Sequence, residues 1–194
     1  MKALEAAILR EGKNLGNGIL KIDGILNHQM DPSLIREMGE VIAEQFRDAQ
    51  PQRILTAEVS GIAPAVMTGL ALGVPIVYAR KKKPITMYGP VLLETAPSHT
   101  KGGETTLLVS AEYMPEGERV LIVDDFLATG HTIRALARIV NGAGCQLVGI
   151  AAVVEKVFEG GRDLLKERYG VPIFSLATIT SMDDGEIIFA SEQP

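Results

Sequence analysis

Asp124 and Asp125 stand side by side, and after two apolar positions come Ala128, Thr129, Gly130, His131 and Thr132. Adjacent carboxylates repel each other, so such a pair suits a site where hydroxyls donate to it or a cation lies near it. The small residues suit the opposite charge. Gly130 lets backbone amides approach an anion, and the hydroxyls of Thr129 and Thr132 add donors. An apolar run at 120–123 predicts a strand ending at the acids. A helix beginning near Thr132 would turn unpaired N–H groups and partial positive charge toward the same anion. Acids for a diol beside a loop for a phosphate describe a sugar phosphate site. Asp125, Thr129 and Gly130 also fit a plain turn-and-cap role. A phosphoryl-accepting aspartate fits less well, because more than half the chain precedes the pair. The sequence lacks the G-x-x-x-x-G-K-[ST] loop of nucleotide triphosphatases and the G-x-G-x-x-G of dinucleotide sites.

The flanking sequence supplies elements to position these groups. A short helix is predicted at 2–10, and 15–25 alternates loosely enough for a strand or an ordered loop. The stretch MDPSLIREMGEVIAEQFRDA predicts a helix, with Asp31 as N-cap and Pro32 in the first turn. Leu34, Ile35, Met38, Val41, Ile42 and Phe46 fall on one face of it. Strand, loop, helix and strand follow from Arg53 to Lys82. The scheme repeats from Arg119 to Lys156, with Ile133, Leu136, Ala137 and Val140 on the buried helix face and Gly142 and Gly144 at its end. A further strand lies in YGVPIFSLATI. This alternation predicts an α/β protein with βαβ units and a parallel sheet covered on both faces. Ligands in such sheets sit beyond the carboxyl ends of the strands. The Gly- and Pro-bearing stretch at about 82–104 is a lid candidate, or an ordinary surface excursion. Within 82–114 only ETTLLVSA reads as a strand. The segment ITSMDDGEIIFA predicts a hairpin turning at Asp184 and Gly185.

Composition narrows the class. The 194 residues suit one domain, and 46% are hydrophobic, enough for a core. A net charge of −5 argues against nucleic-acid coating. One cysteine, Cys145, excludes an internal disulfide framework and suits a small buried residue. Glu5 interrupts the first apolar stretch, which argues against a signal peptide, and no run is long enough to span a bilayer, so a cytoplasmic setting and no membrane partner are expected. His28, His99 and His131 show no metal-ligand spacing, and no protein-held metal is expected.

VLIVDDFLATGHT resembles the ribosyl-phosphate signature of type I phosphoribosyltransferases, which bind 5-phosphoribosyl 1-diphosphate. LKIDGILNHQMDP, EVSGIAPAVMTGLALGVPIVYARK and AAVVEKVFEGGRDLL narrow the resemblance to the bacterial branch that acts on xanthine, and it covers nearly the whole chain. The region from Pro84 to Tyr113 matches least well. The resemblance implies a twisted, mainly parallel, five-stranded sheet flanked by helices, with a small hood from about 1–30 and 171–194. It implies a 5′-phosphate on Ala128, Thr129, Gly130, His131 and Thr132, ribose hydroxyls facing Asp124 and Asp125, and a diphosphate loop at Ser60 and Gly61. Leu20, Asn27 and Lys156 match purine-contacting positions. Each has an ordinary counterpart: Leu20 as core, Asn27 as a turn cap, Lys156 as a solvated strand end. Mg²⁺ carried by the substrate and a homodimer are also implied.

Two departures stand out. Hypoxanthine–guanine relatives carry an acid at the Ala128 position, proposed to handle the purine's proton. Alanine cannot, which favours xanthine or adenine and leaves the proton acceptor unassigned. The loop Glu58, Val59, Ser60, Gly61 lacks the cation that many relatives place there. Arg80 and Lys81 are candidates to meet the diphosphate, through a neighbouring subunit's site, with Lys101 a weaker one. A surface charge run is also commonly just solvated. The alternatives are a guanine, hypoxanthine or adenine enzyme, or a non-catalytic regulator that senses phosphoribosyl pyrophosphate. The regulator reading lacks a basic recognition helix, and about 30 residues before the first long helix leave little room for a DNA-binding module.

Overall fold

A computed structural model of the chain describes residues 1–97 and 103–190. The lid candidate's Lys101 and His99 therefore lie outside the described residues. Helix α1 (Lys2–Glu11) leads into a small ribbon, β1 (Lys13–Asn14) against β2 (Leu20–Lys21), and then a single wide turn, Asp23–Asn27. Helix α2 (Pro32–Phe46) starts where its sequence chemistry places it. The Asp31 carboxylate accepts from the amides of Ser33 at 2.9 Å and Leu34 at 3.3 Å, and proline occupies the first turn. Ile35, Met38, Ile42 and Phe46 are buried along its inner face.

The central sheet is built from β3 (Arg53–Ala57), β4 (Ile76–Ala79), β7 (Arg119–Leu127), β8 (Gln146–Lys156), β9 (Ile173–Ser181) and β10 (Ile188–Phe189). Its order is β10-β9-β8-β7-β3-β4. All neighbours are parallel except β10, which runs antiparallel to β9. The five expected strands are therefore joined by a sixth, formed when the chain turns back at Asp184 and Gly185. Helices α3 (Ile62–Leu72), α4 (His131–Gly142) and α5 (Gly161–Tyr169) complete the crossovers. The sheet separates two apolar clusters. One gathers α1, α2 and the amino-terminal segment against Ile54, Leu121 and Val153; the other gathers α4 and α5 against Leu55, Ile122 and Ile150. That two-sided burial is why the strands read as unbroken apolar runs. Cys145 is buried in the second cluster, as a small apolar residue would be.

Two expectations about strands need correction. The acids do not follow a strand that ends at Val123. β7 continues through them to Leu127, and Asp124 lies opposite Ala152 on β8. Pairing with long β8 is worth more to this backbone than the poor strand propensity of aspartate. In the 82–104 region, β5 (Val91–Pro97) pairs antiparallel with β6 (Glu104–Ser110), so ETTLLVSA is not alone. Prolines at 90 and 97 had masked β5; Pro97 is accommodated at the strand's end. This hairpin is pinned to α4, where Arg138 donates to Glu94 at 2.7 Å and to the Thr95 carbonyl at 2.8 Å.

Candidate active site

The carboxyl ends of β3, β7 and β8 open onto a cavity of about 360 Å³. Asp124, Asp125 and Phe126 form part of its wall, with Ala128, Thr129, Gly130, His131 and Thr132 beside them. Ser60, Lys81, Leu20, Asn27 and Lys156 also line it. Segments far apart in the chain thus meet in one concavity, as the rule for open α/β sheets requires.

The loop between β7 and α4 is only three residues long, and Gly130, at φ 77°, turns the chain into the helix. The first helical bond is Arg134 N–H to Gly130 O at 2.8 Å, so the amides of His131, Thr132 and Ile133 precede the intrahelical ladder. Twelve aligned peptide units lie behind them. An anion in the cavity meets donors and positive potential together.

The acids behave differently from each other. Asp124 is 3% exposed, and burial, reinforced by the neighbouring Asp125 charge, pushes its carboxyl well above the ordinary carboxylate range. Asp125 is also pushed up by burial, but its Oδ1 accepts from the Phe126 amide at 2.9 Å, which opposes the rise. The charge of Lys81 lowers both.

Lys81 reaches the cavity by a route the sequence does not announce. Glu58, in the loop after β3, accepts from the Lys81 amide at 2.6 Å and lies 3.6 Å from the Arg80 guanidinium. The loop that lacks a cation therefore holds one in place from the next strand. Lys81 lines its own chain's cavity, whereas Arg80 does not and sits over the Tyr78 ring. Gly61 is not a lining residue either. A Cβ there would lie 2.7 Å from the Asp124 carboxylate and would also collide with the Thr56 hydroxyl, so its lack of a side chain makes room for the acid. The Glu58–Val59 peptide is cis.

Leu20 is both core and wall, being buried within the first apolar cluster and lining the cavity; Asn27 ends the wide turn and faces the same space. Lys156 is not a solvated strand end. It is 6% exposed, donates to the Gly18 carbonyl at 2.8 Å, pairs with Glu159 at 2.5 Å and lies 5.8 Å from the centre of the Phe126 ring. Sequence reading missed Ile19, Phe126 and the hairpin residues Ala96, Pro97, Thr105 and Leu107 as lining groups. Phe126 lay within the motif and its aromatic ring was a usable signal; nothing local marked the hairpin.

A model of the phosphoribosyl transferase domain matches residues 26–176. The chain belongs to the phosphoribosyltransferase family. It is 52% identical to a xanthine phosphoribosyltransferase of Deinococcus deserti over 185 residues, covering 95% of each chain. It is 44% identical to one of Listeria innocua over 193 residues, covering all of both. Among solved structures, adenine phosphoribosyltransferase from Rhodothermus marinus superimposes with a TM-score of 0.74 at 27% identity, over 92% of this chain and 99% of that one. The phosphoribosyltransferase domain accounts for the whole cavity except its Ile19 and Leu20 edge. Among the described residues, no helix is long and apolar enough to cross a membrane.

Proposed function

We propose that the chain transfers the 5-phosphoribosyl group of 5-phosphoribosyl 1-diphosphate to xanthine, forming xanthosine 5′-phosphate and diphosphate in purine salvage. The observation that carries this reading is the convergence of Asp124, Asp125, the amino end of α4 and Lys156 on one cavity. Identity of 42–52% to xanthine phosphoribosyltransferases favours that purine over adenine, since the adenine enzyme of Rhodothermus marinus shares 27%.

The 5′-phosphate fits the loop of Ala128, Thr129, Gly130, His131 and Thr132, and the ribose hydroxyls fit Asp124 and Asp125. As the bond from the anomeric carbon to diphosphate breaks, positive charge grows on the ribose ring. Fixed carboxylates in a desolvated wall stabilise that charge without reorganising. Ser60, at the loop that Gly61 closes, and Lys81 suit the departing diphosphate. A purine ring nitrogen forms the new bond and must give up its proton. Ala128 offers no base for it. Xanthine that has given this proton to solvent binds as an anion, which the Lys156 ammonium stabilises, and Leu20 and Asn27 bound the purine on the side of the amino-terminal segment.

Mg²⁺ is the expected ion, and the residues suit one carried by the substrate. The two carboxylates share a wall of the cavity, while no group of three or more potential ligands occurs among the described residues. Bound there, Mg²⁺ would neutralise diphosphate oxygens, in keeping with its preference for phosphates, water and one or two carboxylates.

The test is direct. The protein is mixed with phosphoribosyl pyrophosphate, Mg²⁺ and xanthine, guanine, hypoxanthine or adenine in turn, and nucleotide formation is followed. Product with xanthine above all supports the reading. Product chiefly with another base redirects it to that base, and tight pyrophosphate-ester binding without product indicates a sensor. Lys156→Gln is expected to raise the xanthine KM by roughly tenfold, the scale of a charge-assisted hydrogen bond, and to shift its pH profile. An unshifted profile argues against the lysine's role.

We also propose a homodimer. Val66 and Leu70 lie one turn apart on α3 and are exposed, as is Tyr78 on the edge strand β4, which ends at Ala79 just before Arg80 and Lys81. Leu70, at 75% exposure, is the most informative position. Leu70→Arg is expected to shift the sedimentation velocity profile from dimer to monomer; a monomeric parent protein would refute the proposal.

A further inference from the structure

Outside the cavity, the amino end of α5 is pressed against the back of the phosphate loop. The Gly161 amide donates to the Ala128 carbonyl at 3.0 Å. A Cβ on Gly161 would lie 2.6 Å from the Gly130 nitrogen and 2.8 Å from the Thr129 carbonyl carbon, and closer still to the Ala128 oxygen. The contact is mutual, since a Cβ on Gly130 would meet the Gly161 oxygen at 3.0 Å. Gly161 has no positive φ, so backbone freedom does not explain why glycine stands there. Only proximity does.

The segment bearing Gly161 is itself fixed. Next to it, Arg162 grips Glu155, a carboxylate on β8 that is 1% exposed. Its Nε donates to Glu155 Oε1 at 2.6 Å, its Nη2 donates to the second oxygen, and its Nη1 donates to the Ile173 carbonyl at 2.9 Å. The Ser175 hydroxyl completes the set, donating to Glu155 at 2.7 Å. A planar guanidinium held at two of its nitrogens by a buried acid permits little movement. The pair therefore ties the start of α5 to β8 and β9.

We propose that Gly161 and Arg162 are positioning residues for substrate phosphate. The Gly160–Gly161 backbone is a seat that sets the curvature of the loop of Ala128, Thr129 and Gly130, and the Arg162–Glu155 pair holds the seat. This rests on the phosphoribosyl reading above. It adds that recognition of the 5′-phosphate depends on residues that never touch it.

Gly161→Ala and Arg162→Lys separate this from a general loss of stability. Ribose 5-phosphate and inorganic pyrophosphate serve as calorimetric probes, with steady-state kinetics alongside. For Gly161→Ala, ribose 5-phosphate affinity is expected to fall at least about tenfold and the KM for phosphoribosyl pyrophosphate to rise similarly, because small misplacements of a positioning group are costly. Pyrophosphate affinity and the xanthine KM should stay within about twofold. Arg162→Lys keeps the charge but loses the two-point grip, and should show the same selective loss to a smaller extent. It decides the matter if Gly161→Ala does not fold. Unchanged ribose 5-phosphate binding in a folded variant overturns the proposal. So does an equal weakening of every ligand together with a lowered Tm. A parent protein that binds no ribose 5-phosphate would instead overturn the phosphoribosyl reading, a result visible before any variant is made.

Discussion

Asparagine in place of Asp124 is expected to give a protein that is more stable than the parent and nearly inactive. The stability gain follows from burial. Asp124 carries a carboxyl that desolvation, then the Asp125 charge, pushes well above the ordinary range. The folded protein therefore holds this proton more tightly than the unfolded chain does. Its contribution to stability is present in full below the unfolded carboxylate pKa and is lost as pH rises through the elevated folded value. The substitution removes that loss, so the Tm of the variant should exceed the parent's above the window and should depend less on pH. The activity loss follows from the chemistry. Once ionised, above its elevated folded value, Asp124 offsets the positive charge growing on the ribose ring, as a neutral amide cannot at any pH, and losing one fixed electrostatic partner of this type costs roughly 10²–10³ in kcat. Asp125→Asn should cost activity on a similar scale with a smaller gain in stability, because its Oδ1 is held by the Phe126 amide. The checks are kcat and KM with saturating xanthine, and thermal melts between about pH 5 and 9. Full activity in both variants would remove the carboxylates from the mechanism.

Gly130→Ala should have the opposite character, losing affinity and stability together. The residue is at φ 77°, where a Cβ is strained, and the added methyl would meet Gly161 within 3.0–3.1 Å. Strain alone costs of order 1 kcal/mol or more. The amides of His131 and Thr132, which follow directly, would lose their convergence on the phosphate. A KM for phosphoribosyl pyrophosphate raised by about 100-fold is expected, with a smaller effect on kcat. Steady-state kinetics and ribose 5-phosphate calorimetry measure it; binding equal to the parent's would dissociate this loop from the phosphate.

How much of this was legible in the sequence depends on how local each signal was. Helix α2 wrote its start in Asp31 and Pro32 and its face in Ile35, Met38, Ile42 and Phe46, all within one element. The acid pair and the small loop are likewise contiguous. Strand β5 was not legible, because its partner β6 lies across residues outside its own run and prolines flank it. The continuation of β7 through Asp124 was hidden because aspartate disfavours strands, and only the neighbouring β8 reveals why the chain stays extended. The access of Lys81 to the cavity depends on Glu58, 23 positions earlier. Gly161 appeared only as one of two adjacent glycines, and its meaning lies in a contact with Ala128, Thr129 and Gly130, far back in the chain, that no periodicity encodes.

The segment that carries Leu20 and Asn27 has a bearing on traffic through the site. It is not a loosely tethered cover. Leu20, Ile22, Ile25 and Leu26 are buried in the same apolar cluster as Ile54, Leu121 and Val153. Peeling it back would return four aliphatic side chains to water, roughly 6–12 kcal/mol, comparable with the whole stability of an ordinary domain. That side of the cavity is therefore expected to behave as a fixed wall rather than as a door.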